Sequence, residues 1–433
     1  MSDTPVTVAF DDDLALVTID SPPVNALSQA VRIGLADAVK TVEASDAAAA
    51  VLLCAGRTFI AGADIREFDM GPLLPHLTEV IGAIEMCQKP WIAAIHGTAL
   101  GGGLEVALGC HYRIAAPTAK MGLPEVHLGI LPGAGGTQRL PRIVGAKAAV
   151  EMITTGAPVS AAKAKAMGLL AEIAEGDLTE AAKAFARKVA KTPPPRIDRA
   201  PAAPAPSQAE WAAMRAAVEK AAKGQISPIG CFDSIRNAFK LDLDKGLEAE
   251  REGFMALKNS DQSAALRHAF FSERAVAKPK VIAGATPREI SRVVVVGGGL
   301  MGSGIATSLL QAGIAVTMIE MNAEAAEAGR GRVEANLASA VKRGLIDEAK
   351  KASMMAALTP ATDYAAAAGA DLAIEAVFED MDVKRKVFSS LAAAMGKDAI
   401  IASNTSYLDP NKIAEGIENQ SRIIGLHFFS PLM

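Results

Sequence analysis

The chain reads as an α/β protein of two or three domains. Three observations predict this. Its 433 residues exceed what one ordinary hydrophobic core organises. From Val6 to about Lys191, short apolar runs rich in β-branched residues alternate with segments of helical period. A second alternation of the same kind opens at Val293-Val294-Val295-Val296, after a proline-rich break and a helical stretch.

The elements follow in order. Leu14 to Ile19 predicts a strand, Val31 to Val42 a helix, and Ala50 to Cys54 a strand. Val80 to Met86 predicts a helix and Trp91 to Ile95 a buried strand. Thr192-Pro193-Pro194-Pro195 and Ala200-Pro201-Ala202-Ala203-Pro204-Ala205-Pro206 cannot continue a helix and have little to bury, so they predict a semi-rigid tether. From Gln208 to about Ala277 the pattern is helical. Phe239, Leu243, Leu247, Phe254 and Leu257 recur at helical spacing, as expected of helices packing on the first domain. A linker over Lys278 to Pro287 precedes the last domain. The expected divisions are 1–191, 192–285 and 286–433.

Composition excludes several classes. Half the residues are hydrophobic and 21% are charged, the balance of a soluble globular protein. A net charge of −4 and the lack of a basic run argue against nucleic acid as a partner. No apolar run is long enough to span a membrane, and the N-terminus does not open like a signal peptide. Cys54, Cys87, Cys110 and Cys231 are scattered without Cys-x-x-Cys spacing. They read as reduced thiols of a cytosolic or organellar protein, and no metal site is expected.

Two constellations carry chemistry. The first is a pair of glutamates. Glu105 follows Ala99-Leu100-Gly101-Gly102-Gly103-Leu104, and Glu125 follows Gly122-Leu123-Pro124. Each arrives on a glycine- or proline-marked turn beside apolar segments. Brought together, two such carboxyls form an acid/base pair, and the glycines let backbone N–H groups approach a substrate oxygen. The second is Gly297-Gly298-Gly299-Leu300-Met301-Gly302, which matches G-x-G-x-x-G between the Val293–Val296 run and a helix over Ser303 to Ala312. A further strand, Ala315 to Ile319, ends in Glu320 at the interval expected of a ribose-binding acid, which favours NAD over NADP. Later strands at Leu372–Phe378, Ala399–Ser403 and Ile423–His427 deliver Glu379, Asn404, Ser406 and His427 to the edge where parallel sheets bind ligands. A histidine there is suited to accept a hydroxyl proton.

These residues are specific enough to name a family. Phe59-Ile60-Ala61-Gly62-Ala63-Asp64-Ile65, the two glutamate segments, and Leu131-Pro132-Gly133-Ala134-Gly135-Gly136-Thr137-Gln138-Arg139 resemble the enoyl-CoA hydratase/isomerase (crotonase) superfamily. The glycine loop, Glu375-Ala376-Val377-Phe378-Glu379, Ser403-Asn404-Thr405-Ser406 and His427-Phe428-Phe429-Ser430-Pro431 resemble the NAD-binding domain of 3-hydroxyacyl-CoA dehydrogenases. Their order is similar to that of the multifunctional enzymes of fatty-acid β-oxidation, the peroxisomal type 1 enzymes and their bacterial relatives.

The resemblance implies a crotonase fold, a helical linker region and a Rossmann-type NAD-binding domain. In the first, the N–H groups of Ala63 and Gly102 would form an oxyanion hole for a coenzyme A thioester. Glu105 would activate water and Glu125 would exchange the proton at C2. Gly62 and Gly133 would lie beside the substrate, and Asp64 would shape the oxyanion turn. Loops around Phe68 to Leu77 would set the acyl pocket. His96, His111 and His127 have no evident catalytic partner. Isomerisation of Δ3 to Δ2 double bonds is a further activity of such sites, and one that needs only the acid at Glu125.

In the second part, Gly297, Gly299, Gly302, Glu320 and Glu379 would serve NAD. His427 would take the 3-hydroxyl proton, Ser406 would bind the hydroxyl and Asn404 would order the substrate. The chain ends just past His427, before the family's histidine-orienting glutamate and C-terminal helical domain. The expectation is therefore an active hydratase half and a dehydrogenase half that binds NAD but turns over poorly. Alternatives are a crotonase that mainly isomerises, and an NAD-binding scaffold that docks a partner. Expected partners are acyl-CoA substrates and, among proteins, a thiolase subunit or a separate C-terminal domain. The expected location is the cytoplasm of a bacterium, or the peroxisome of a eukaryote.

Overall fold

The computed structural model describes residues 4–67, 70–71, 73–197, 204–277 and 279–430. Part of the expected tether (198–203), Phe68, Asp69 and Pro72 of the pocket loop, Lys278 and the last three residues lie outside the described residues. The chain divides into two compact units, Met1–Ala283 and Gly284–Met433.

The first unit contains β1 (Val6–Asp11), β2 (Leu14–Ile19), β3 (Ala49–Cys54), β4 (Trp91–Ile95), β5 (Thr98–Leu100), β6 (Tyr112–Ala115), β7 (Lys120–Gly122), β8 (Val159–Ser160) and β9 (Glu172–Ile173). The larger sheet runs β1-β2-β3-β4-β6-β9. It is parallel apart from the β1–β2 hairpin, whose turn uses Asp12 at φ 53°. All of β4 is buried, as a continuous apolar strand inside a parallel sheet should be.

A small sheet, β5-β7-β8, positions the chemistry. Its register pairs Thr98 with Lys120, Ala99 with Met121 and Leu100 with Gly122. Both strands therefore end at the same level. Immediately beyond them start the helix Gly102–Gly109 and the 3₁₀ turn Pro124–Leu128. A parallel bridge pairs Ile60 with Ala99, so the segment leading to Ala63 runs beside the segment leading to Gly102.

The helical region forms as its periodicity predicts: Gln208–Ala222, Ser227–Asn237, Leu243–Lys258 and Asp261–Val276. Ser207, Asp242 and Ser260 cap three of these with side-chain acceptors. Val218, Cys231, Phe232, Ile235 and Leu257 are buried in the same apolar cluster as Val17, Leu104 and Leu128, so these helices share a core with the first sheet. Phe239 departs from the expected helical run. It lies in the turn after Asn237 and packs edge-on against Trp211, with centroids 5.6 Å apart.

The second unit is a six-stranded parallel sheet of β10 (Arg292–Val296), β11 (Ala315–Ile319), β12 (Leu358–Ala361), β13 (Leu372–Glu375), β14 (Ile400–Ser403) and β15 (Ile423–Gly425). Its order, β12-β11-β10-β13-β14-β15, is that of a doubly wound dinucleotide fold, with the switch point beside β10. Two apolar clusters cover its faces. Two strands stop earlier than expected. β13 ends at Glu375, whose carboxylate accepts the Val377 N–H at 2.7 Å and turns the chain out of the sheet. Phe378 is consequently 86% exposed. β15 ends at Gly425, leaving His427 on the segment beyond.

Candidate active sites

The first site is built where β5 and β7 end. Gly101, at φ 53°, caps the helix carrying Glu105, and its N–H bonds the Gly122 carbonyl at 2.9 Å. A Cβ on Gly101 would lie 3.0 Å from Glu125 Oε1, so a side chain there would press on the Glu125 carboxyl. Glu105 is 3% exposed, and its Oε1 accepts the N–H groups of Ala134 (2.8 Å) and Gly136 (2.9 Å). Glu125 Oε2 is buried and, among the described residues, has no hydrogen-bond partner. A buried polar atom in that state marks a place for a ligand group.

Electrostatics separates the two acids. Burial pushes the Glu105 carboxyl up, opposed by the two backbone donors and the charge of Arg139. Burial pushes Glu125 much further, and the charge of Glu105 adds to it. The ionised form therefore belongs to Glu105, which has donors, and the proton to Glu125.

Gly102 opens the helix, so no intrahelical acceptor can reach its N–H. A Cβ on Gly102 would meet Leu77 Cδ2 at 3.0 Å, Leu27 Cδ1 at 3.2 Å and Ala63 N at 3.4 Å. The structure thus brings together Glu105, Glu125, Gly102 and Ala63. Gly62 adjoins them at φ 132°. Gly133 faces Phe254, whose Cδ2 would lie 2.5 Å from an added Cβ. Asp64 binds Arg66 through both carboxyl oxygens and stays low because of it. His111 is buried, with Nδ1 accepting from Trp91 N at 2.9 Å, and burial holds it down at about 4, the position of a neutral structural ring. His127 is exposed, and the His96 ring lies 3.0 Å from the Gly56 carbonyl oxygen.

One buried acid of this site is absent from the expectations. Glu250, on the helix Leu243–Lys258, is 1% exposed. Its Oε1 accepts from Gly135 N at 2.6 Å and its Oε2 from Thr137 N at 2.8 Å. Its sequence signal was legible: it falls on the stripe of Leu243, Leu247, Phe254 and Leu257, where an apolar residue belongs.

The second site lies at the strand ends of the dinucleotide sheet. Gly297 turns at φ 97°, and a Cβ on Gly302 would lie 1.7 Å from the Gly297 carbonyl oxygen, so both glycines close the turn itself. Gly299 differs. A Cβ there would meet nothing within 4 Å, and the residue is exposed at the N-terminus of the helix Leu300–Gln311. That is an open cradle over a helix N-terminus, suited to a pyrophosphate. Glu320 accepts from Gly298 N at 2.6 Å and so sits against the same loop.

At the next strand ends, Lys384 is buried between Glu375 (2.7 Å) and Glu379 (3.1 Å). Burial alone would raise Glu379, but Thr405, Lys384 and the Ser406 N–H overcome it and hold the carboxyl at about 2. Ser406 Oγ lies 3.3 Å from His427 Nε2, Phe429 packs 4.5 Å from the His427 ring, and Asn404 Oδ1 accepts the Phe428 N–H at 2.7 Å. His427, Ser406 and Tyr407 are all exposed.

Fold and strand order define the class: a chain that joins a crotonase fold to a dinucleotide-binding fold. Residues 9–220 match the family "Enoyl-CoA hydratase/isomerase" and residues 292–433 the family "3-hydroxyacyl-CoA dehydrogenase, NAD binding domain". The chain belongs to the enoyl-CoA hydratase/isomerase family through its first unit and carries the NAD-binding domain of 3-hydroxyacyl-CoA dehydrogenases in its second.

It is 41% identical to the peroxisomal bifunctional enzyme of Danio rerio, an alignment covering 96% of this chain and 59% of that protein. It is 38% identical to a peroxisomal fatty acid beta-oxidation multifunctional protein of Arabidopsis thaliana, covering 97% and 60%. The peroxisomal bifunctional enzyme of Homo sapiens is 35% identical, covering 96% and 59%. The chain thus spans about 60% of the length of these relatives. Among the described residues no helix is long and apolar enough to cross a membrane.

Proposed function

We propose that the first unit hydrates trans-2-enoyl-CoA thioesters to 3-hydroxyacyl-CoA, and that the second binds NAD and serves the oxidation of that product to 3-ketoacyl-CoA. One observation carries the reading. Two buried carboxyls, one with donors and one with an orphaned oxygen, lie beside an N–H pair at Gly102 and Ala63.

In this reading the thioester oxygen accepts from the N–H groups of Ala63 and Gly102, where enolate charge grows. Glu105 takes a proton from water as its oxygen bonds C3, and Glu125 delivers a proton to C2. The raised proton affinity of Glu125 keeps that proton available at neutral pH. The cradle at Gly299 and the helix N-terminus fit the cofactor's pyrophosphate, and Glu320 would bind its ribose once released from Gly298. NAD⁺, when bound, supplies a hydride acceptor. His427 would take the 3-hydroxyl proton with Ser406 beside it, and Glu379 with Lys384 would fix the segment carrying Ser406.

A crotonyl-CoA hydration assay, followed in the same cuvette by NAD⁺, tests both halves. Loss of enoyl absorbance supports the first, and its absence sinks it; rapid NADH formation on the addition supports a catalytic second unit and overturns the expectation of poor turnover there. The orphaned Glu125 oxygen also suits double-bond isomerisation, for which Glu105→Ala should spare turnover of 3-enoyl-CoA. An NAD-binding scaffold would bind NAD without turnover.

We further read the domain division as functional. The helices over residues 208–276 complete the hydratase unit, because they share its core. Protein partners of this reading are a thiolase subunit or a separate C-terminal domain, to be sought by co-purification. The compartment follows the source: cytoplasm in a bacterium, peroxisome in a eukaryote. The relatives' names support the peroxisomal case and give the cytoplasmic one no support.

A further inference from the structure

We propose that Glu250 is a positioning residue of the hydration site, holding the Gly135 and Thr137 N–H groups so that those of Ala134 and Gly136 remain directed at Glu105. The inference rests on the hydratase reading above and adds a third carboxyl to it.

Four successive N–H groups, Ala134 to Thr137, enter the helix Gly136–Val144. They alternate between two acids. Ala134 and Gly136 donate to Glu105 at 2.8 and 2.9 Å, and Gly135 and Thr137 to Glu250 at 2.6 and 2.8 Å. Such groups have no intrahelical acceptor, and the oxygens of a buried carboxyl, which accept in either protonation state, are suitable partners for them. One carboxylate cannot take all four, because alternate N–H groups point to opposite sides of the turn. Without Glu250, two buried donors would be left unmet, and the turn would twist to seek the acceptor beside them, Glu105. That would shift the oxygen meant for water. A displacement of about 1 Å in a reacting group costs on the order of a hundredfold in rate.

Glu250 is itself fixed. Thr137 Oγ1 donates to its Oε2 at 2.5 Å and contacts Ser234 Oγ at 2.7 Å, tying the helix of Glu250 to the helix Ser227–Asn237. Gly246, one turn earlier, packs against Gln138, whose Oε1 would lie 2.4 Å from an added Cβ. One turn later, Phe254 covers Gly133. Glu250 lies outside the residues 9–220 that match the hydratase family.

The titratable groups facing it are Glu105 from the helix Gly102–Gly109, Glu125 from the 3₁₀ turn and Cys231 from the helix Ser227–Asn237. Arg139, on the helix the loop enters, is held by Glu85 at 2.8 Å. Burial, then the charge of Glu105, pushes Glu250 up to about 8. Its ionisation above that pH adds a charge that raises the proton affinity of Glu125.

The test is steady-state hydration of crotonyl-CoA by the full chain and its Glu250→Gln and Glu250→Ala variants across pH. The thermal unfolding transition of the first unit reports whether each variant is folded. Glu250→Ala should lower kcat by about a hundredfold with KM changed by less than about threefold. Glu250→Gln keeps one acceptor and should fall between. It should also lose the step in the wild-type rate profile near pH 8. A merely structural role would lower kcat only in proportion to the folded fraction and would leave the step near pH 8 in place. Should Glu250→Ala not fold, Glu250→Gln carries the test. Wild-type hydration with unchanged kcat and pH profile in the folded variants overturns the inference and leaves the hydratase reading standing. No hydration by the wild type overturns that reading, and the inference with it.

Discussion

The two sites of this chain differ in where their charges sit. In the first unit the carboxyls of Glu105 and Glu250 are within the core, and their partners are backbone N–H groups. In the second, the strand ends present His427, Ser406 and Tyr407 to solvent, with charge control delegated to a buried cation, Lys384, beneath them. On the proposed reading, the first site moves protons through carboxyls near neutral pH and needs burial to raise their proton affinity. A site that accepts a large dinucleotide needs an open edge and fixed dipoles. The same α/β architecture serves both because the difference lies in the turns and helix starts just beyond the strand ends.

The most damaging test of this contrast removes a buried carboxyl. Glu105→Gln or Glu125→Gln should lower hydration by about two to four orders of magnitude, the usual worth of a positioned acid or base, with NAD affinity unchanged. Near-normal hydration in either variant would break the paired-acid reading. Next comes the claim that the helices belong to the first unit. Phe232 is fully buried in that core, so Phe232→Ala should destabilise its unfolding transition by about 3–5 kcal/mol while the second unit's transition stays put.

Gly102→Ala crowds Leu77, Leu27 and Ala63 N and should cost about a hundredfold in kcat, as for a displaced oxyanion donor. In the second unit, Gly299→Ala should weaken NAD binding about tenfold, some 1.4 kcal/mol, without loss of folding. Gly302→Ala meets the Gly297 carbonyl and should unfold the domain. Equal effects of the two would show that Gly299 is not a cofactor cradle.

The gentlest test is the pH dependence of stability, and the two units should show opposite signs. Glu250 keeps its proton in the fold up to about 8, whereas an unfolded glutamate releases it at ~4.3. The first unit should therefore lose stability as pH rises through that window. Glu379 is held at about 2, so its contribution is present above ~4.3 and is lost as pH falls toward 2. Calorimetric scans that resolve the two transitions would decide, and parallel slopes would erase the contrast.

Much of this was legible residue by residue. β-branched runs such as Val293–Val296 gave the strands, and the glycines flanking Glu105 gave its turn, because local period and backbone permissiveness are sequence properties. The end of β13 was not legible. The apolar run predicts a strand through Phe378, but the Glu375 carboxylate turns the chain out at Val377. The division of labour between Gly297 and Gly302 as turn-closers and Gly299 as cradle was also hidden, since all three look alike in a motif and differ only in what a Cβ would touch.

By itself the sequence determined the order of the two units, the identity of the glutamate pair and the presence of a dinucleotide loop, since each rests on residues adjacent in the chain. Only the tertiary structure decided which acid holds the proton and which other acid stands beside it. Glu250 reaches the Gly133–Thr137 loop from 113 positions away at Thr137. Proton affinity depends on burial and neighbouring charge, and neither is a property of the residues next to a carboxyl in sequence.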